Sequence, residues 1–243
     1  MADHPVFEPE RSHSGIQAGT EAPAHGAGPA AVVTAVPVLR GWLHALCFVA
    51  SVPAGVTLVL GATSTRAKVS SGVYAVALSA LFGVSGLYHR RRWSAAARRW
   101  MQRIDHATIF VMIAGSYTPL CVVALGGSLG TAILVFAWAG AAAGAALSIV
   151  DVSQKPVFGL VCYIALGWVM VLALPQLAHR VSTAGLLLIV VGGVIYTLGG
   201  IVLGTRWPDP VPSVFGYHEL WHAMVAAAAV CHYLAIGSVV RGA

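Results

Sequence analysis

Charged residues are scarce in this sequence: Lys, Arg, Asp and Glu make up 9% of its 243 residues, whereas a soluble domain carries about a quarter. Set beside 58% hydrophobic residues and a mean hydropathy of +0.82, that shortage excludes a soluble globular chain and a disordered one. Segments of about ten residues alternating apolar with polar are missing, which excludes a membrane β-barrel. There is no CxxC. Cys47, Cys121, Cys162 and Cys231 all fall inside apolar runs, so no disulfide framework is expected and buried packing is the reading. A basic start followed by an apolar stretch is missing too, so no cleaved signal peptide is expected. The only lysines are Lys68 and Lys155; neither lies in the last apolar run, which excludes a retinal Schiff base there. No run holds an acid at mid-depth to carry protons, which weighs against a coupled transporter without excluding it.

What is present is a series of apolar runs of roughly 20 residues, the length that crosses a hydrocarbon core about 30 Å thick. Seven are legible, over 41–62, 69–89, 106–125, 131–150, 157–176, 184–204 and 218–239. The expected fold is an all-α membrane protein, a seven-transmembrane helical bundle occupying 37–243 as one domain. Residues 1–36, rich in Ala, Gly, Pro and His, hold four of the eight acids and read as a disordered tail. The histidines there (His4, His13 and His25) share no helical face and read as solvated. Gly140 with Gly144, and Gly200 with Gly204, form GxxxG pairs. Such pairs serve tight bundling within one chain at least as well as dimerisation.

The formal net charge is +6, but the basic residues sit mainly between apolar runs. They read as a topology signal rather than as a nucleic-acid surface. With the N-terminus cytoplasmic, the inward segments hold Arg11, Arg40, Arg90, Arg91, Arg92, Arg98, Arg99, Arg103, Lys155 and Arg206. The outward ones hold Arg66, Lys68, Arg180 and Arg241. Ten of the 14 basic residues thus favour an N-terminus inside and a C-terminus outside. The Arg90–Arg103 loop is expected to meet anionic lipid headgroups, each basic residue near such lipid gaining about 1 kcal/mol.

Ionisable groups inside apolar runs cost roughly 2.5–3.5 kcal/mol at mid-helix for Asp, Lys or Arg, and so become functional suspects. Here they are His44, His89, Asp105, His106, His218, Glu219, His222 and His232. Even-numbered helices end, and odd-numbered helices start, at one face of a bundle. Span count alone therefore brings Ser85 and His89, Asp105 and His106, His218 and His222, and His44 to one depth. Ser85 and His89 are one helical turn apart, as are His218 and His222. Two histidines at i, i+4 can aim at one metal ion, and a third His from another helix would complete the set; His89 and Asp105 lie at matched depth. Zinc takes such a set with water as fourth ligand and lowers the pKa of that water to about 7. Asp105 suits the holding of water or the role of base, and the Ser85 hydroxyl suits hydrogen bonding to water or to a substrate carbonyl. Plain interfacial histidines remain the competing reading. His44 and His106 are expected to pack or to support the ligands, and His232, nearly three turns past His222, lies outside the site. Glu219, one residue off the His218 face, is expected at the interface or beside a basic loop. His218-Glu-Leu-Trp-His222 also spells HExxH, whose Glu is a general base in zinc proteases. This segment opens an apolar run with no further zincin pattern around it, so an intramembrane protease is a formal alternative only.

The same segments carry a family resemblance. Ser85-Gly-Leu-Tyr-His89, Arg103-Ile-Asp105-His106-Ala-Thr-Ile, Ala114-Gly-Ser-Tyr-Thr-Pro119 and Phe215-Gly-Tyr-His218-Glu-Leu-Trp-His222 followed by His232 resemble the hemolysin III family, bacterial relatives of the adiponectin and progestin receptor (PAQR) family. Arg40-Gly-Trp-Leu-His44 resembles the start of that family's first span. The likeness covers residues 38–240, in order and on matching spans. It implies seven helices with a cytoplasmic N-terminus, a zinc ion held by His89, His218 and His222, and Asp105 and Ser85 around the metal water. Through the alkaline ceramidases of the wider superfamily it implies hydrolysis of a lipid amide.

Three functions compete. The first is a zinc-dependent hydrolase of a lipid amide or ester, with membrane lipid as substrate. The second is a receptor or lipid sensor with structural zinc; such sites usually have four protein ligands, and three histidines favour chemistry mildly. The third is a cytolytic membrane protein. It ranks last, because a secreted pore former must first be soluble and this composition allows no soluble form.

Overall fold

The computed structural model describes residues 37–150 and 156–242. The expected tail over 1–36, with Arg11, and the stretch 151–155, with Lys155, lie outside the described residues. Eight α-helices account for most of the rest: α1 (Trp42–Leu60), α2 (Thr65–Arg90), α3 (Ala95–Pro119), α4 (Gly127–Ile149), α5 (Pro156–Trp168), α6 (Leu174–Ala178), α7 (Thr183–Thr205) and α8 (Tyr217–Arg241). No β-strand occurs among the described residues, and α5 and α6 belong to one span. Seven helical segments are thus long and apolar enough to cross a membrane.

Local chemistry sets the ends. Ser64, Ser94 and Ser182 each accept a hydrogen bond from a backbone N–H three residues on, at 3.1–3.3 Å, and so cap α2, α3 and α7. Gly126 and Gly127, at φ +60° and +58°, make the sharp turn between spans three and four, where a side chain would strain the backbone. The cap at Ser94 corrects the expected boundary of span three. Its helix starts at Ala95, not 106, so most of the expected Arg90–Arg103 loop is helical and only 91–94 break the chain. Apolarity marks where a chain enters lipid, but Ala95-Ala96-Ala97 behind a serine cap starts a helix before that depth.

Two spans are irregular. Leu120–Leu125 form a π-helical turn directly after Pro119, which has no N–H for the ladder. In span five, a 3₁₀ stretch over Val169–Ala173 separates α5 from α6. Backbone groups exposed by such a break need partners where water is absent. The Tyr117 hydroxyl provides them, donating to the carbonyls of Leu166 and Gly167 and accepting the Met170 N–H at 2.9 Å.

Helices adjacent in sequence pack side by side in the pairs α1–α2, α2–α3, α3–α4 and α7–α8. Spans two, three and seven have 44–61% of their apolar stretches buried, against 22–28% for the other four. The three inner helices are therefore α2, α3 and α8. Small residues let them approach. A Cβ on Gly115 of α3 would lie 2.6 Å from the Ala77 Cβ of α2. The GxxxG glycines face neighbours in the same chain: Gly140 meets Leu166, Gly144 meets Phe110, and Gly200 and Gly204 both meet Leu160. Gly115→Leu is expected to push α2 from α3 and destabilise the bundle by about 1–3 kcal/mol, as overpacking usually does. A lowered thermal midpoint in detergent is the check; an unchanged one would contradict the tight α2–α3 contact.

Candidate metal centre

The three inner helices carry the site. His89 lies in the last turn of α2, Asp105 in α3, and His218 and His222 in the first two turns of α8. All are at the end of the bundle that holds the Arg90–Arg103 stretch. The ligand nitrogens of His89, His218 and His222 fall within 4.8 Å of one another. The Nε2 atoms of His89 and His218 are 3.2 Å apart. Two nitrogens on one tetrahedral zinc, each at 2.0–2.1 Å, are about 3.3 Å apart. The pair therefore already has the separation a shared ion imposes, and three imidazoles on three helical turns fit the donor set of a transition metal. Asp105 Oδ2 is 4.0 Å from that same His89 Nε2, so the carboxylate borders the point where the imidazoles converge. Ser85, buried one turn along α2, lines the same cavity as Asp105. All five sequence-singled residues thus lie together.

A fourth ring supports the three. His44, buried at the start of α1, stacks on His222 with ring centroids 3.8 Å apart and planes 13° from parallel. Its other neighbour is the edge of Phe82 at 5.1 Å. His44 is thus the packing group expected of it, and its stacking limits the rotation of the His222 ring. His106 and His232 are not in the three-histidine group. His232 bonds instead to the Ile189 carbonyl at 3.2 Å and packs on Tyr196.

Of the two places expected for Glu219, the interface or a basic loop, it takes the one beside a basic segment. It is 3% exposed, and its partner is Arg40, in the segment leading into α1. Its second oxygen accepts the Gly216 N–H at 3.0 Å. Both oxygens are thereby engaged away from the three-histidine cluster, which removes the HExxH role from this glutamate. A carboxylate beside two histidines at the end of an apolar run called for a cation, but with several arginines at that end the sequence did not single out Arg40.

From the histidines a cavity of about 500 Å³ extends between the helices. Ser85, Asp105, His218 and His222 line one end, and Ser116, Leu120 and Ile236 line the other. Its wall is mainly apolar and includes the broken part of span five, with Gly167, Met170 and Leu174. The arrangement joins a metal-capable polar end to an apolar chamber large enough for a single long hydrocarbon chain.

The sequence is similar to a family of known proteins. Residues 34–233 match the family model described as haemolysin-III related. The chain is 29% identical over 196 residues to the "Hemolysin-3 homolog" of Bacillus subtilis (strain 168), covering 79% of this chain and 89% of that one. It is 29% identical over 185 residues to "Hemolysin-3" of Bacillus cereus, covering 75% and 81%. The human "Monocyte to macrophage differentiation factor" is 30% identical over 173 residues, covering 70% and 69%. The match spans all seven apolar helices and the residues of the metal-capable cluster. With its seven-helix architecture, the chain belongs to the hemolysin III family of multi-pass membrane proteins, relatives of the PAQR receptors.

Proposed function

We propose that this protein is a zinc-dependent hydrolase of an amide or ester bond in a membrane lipid. The observation that carries the reading is the junction of three convergent imidazoles, an adjacent carboxylate and an apolar chamber. His89, His218 and His222 would hold the metal, three protein ligands leaving a position open as catalytic sites do. When bound, zinc supplies Lewis acidity toward an acyl carbonyl and makes water a nucleophile near neutral pH. The remaining work belongs to the chain. Asp105 receives a proton from the attacking water at its carboxylate and passes it to the leaving nitrogen or oxygen. The Ser85 hydroxyl orients that carboxylate from α2. Stacking by His44 holds the His222 ring, and the apolar chamber takes the acyl chain.

Two measurements on detergent-purified protein test the reading. Elemental mass spectrometry is expected to find about one zinc per chain, lost in His222→Ala. No zinc in well-folded wild type would end the metal reading. Asp105→Asn is expected to keep the zinc and lower turnover of a long-chain acyl amide at least a hundredfold, the usual scale of a general acid–base. Turnover undiminished by that change would remove Asp105 from the chemistry, and no turnover by the zinc-loaded wild type would leave a sensor with structural zinc as the better account.

The distribution of Lys and Arg, ten against four of 14, supports a cytoplasmic N-terminus and an outward C-terminus. The metal end then faces the cytoplasm, with the Arg90–Arg103 stretch at the anionic headgroups. Arg90 over Trp42 at 3.3 Å and Arg103 over Trp100 at 5.1 Å fit such an interfacial belt. Alkaline phosphatase fused after Ala243 should be active in a bacterial host, and inactivity there would reverse the orientation.

A further inference from the structure

The reading above leaves one buried carboxylate of the region without a task. Glu219 falls between His218 and His222 in sequence, yet it serves the helix start and a neighbouring segment. Helix starts fray because their first N–H groups have no partner within the helix, and His218 is in that first turn. Two carboxylates hold it. Glu219 accepts from the Gly216 N–H at 3.0 Å, and Asp209 accepts from the Tyr217 N–H at 2.7 Å.

Arg40 ties this turn to a second element. The segment before α1 runs along the α7–α8 connection, where the Val38 and Leu39 N–H groups donate to the Ser213 and Val214 carbonyls at 3.1 and 3.2 Å. Arg40 Nε then donates to Glu219. The next residue, Gly41, takes φ +76°, and a Cβ there would lie 2.7 Å from the His89 Cβ. Two successive residues thus touch both metal-bearing helices, Arg40 gripping α8 beside His218 and Gly41 lying on α2 at His89.

We propose that the Arg40–Glu219 ion pair is a positioning latch for the metal centre. It fixes the first turns of α8, with His218 and His222, relative to the Gly41 contact that fixes His89. The glutamate of the HExxH-like segment is then a buried anchor and not a proton-transfer base. This inference rests on the metal reading of the site. The competing account is that the pair only stabilises the fold, since breaking a buried ion pair leaves an uncompensated charge. The two differ in what they predict for coordination geometry.

The test is a Co²⁺ titration of metal-stripped, full-length protein in detergent, reading the visible absorption bands, which report coordination geometry, beside thermal unfolding. Glu219→Gln retains the shape and the acceptor for Gly216 and removes the charge. It is expected to weaken Co²⁺ at least tenfold and to shift the bands. Arg40→Lys keeps the charge without the Nε donor and is expected to recover most of the affinity. Gly41→Ala leaves the ion pair in place and presses on His89, so it is expected to shift the same bands. Should Glu219→Gln fail to fold, Arg40→Gln decides, because it breaks the same pair from the other side. Unchanged affinity and bands in the folded variants would overturn the latch. So would a loss of binding that only follows the unfolded fraction. A wild-type protein that takes up no Co²⁺ overturns the metal reading itself, and the latch with it.

Discussion

An imidazole or a carboxylate at the margin of an apolar bundle must find a partner, because neither water nor hydrocarbon is there to satisfy it. At the basic end of this protein that constraint organises everything else. His89, His218 and His222 converge on one another, and Asp105 borders them. Glu219 and Arg40 neutralise each other beside the cluster. The helices that bring these groups together, α2, α3 and α8, are the most buried of the bundle. Close approach at Gly115 allows α2 and α3 to sit together. The outer helices wrap this frame and present apolar side chains outward.

Much of this plan was legible before any coordinates. Seven apolar runs dictate seven spans, and the parity of a serpentine chain dictates that His89, Asp105 and His218 share a depth. The spacing of His218 and His222 dictates a common face. What escaped the sequence depends on one partner choosing another. Arg40 could have met a headgroup; that it meets Glu219 follows from the way the segment before α1 lies along 213–214. His44 was placed at the right depth, but ring stacking on His222 is a matter of rotamers. The break in span five was hidden because an unbroken apolar run reads as continuous helix, and its repair by Tyr117 comes from another helix.

The irregular backbone of spans three and five has a common logic. Both breaks lie where Tyr117 and Leu120 of α3 and its extension meet Gly167 and Met170 of span five, and these residues line the chamber. A straight pair of helices there would pack flush and close the space. Departing from the regular ladder opens room, and the Tyr117 hydroxyl keeps the freed peptide groups of span five bonded.

The geometry of the cluster also orders events during synthesis. His89 and His218 lie 129 residues apart, so at about 5–20 residues per second roughly 6–26 seconds of translation separate them. During that interval His89 and Asp105 are already in the membrane without the partners that satisfy them. The last helix to arrive supplies two of the three imidazoles and the glutamate that Arg40 requires. Insertion of α8 is therefore the step that completes the polar core, and a truncated chain exposes unmet polar groups within the bilayer.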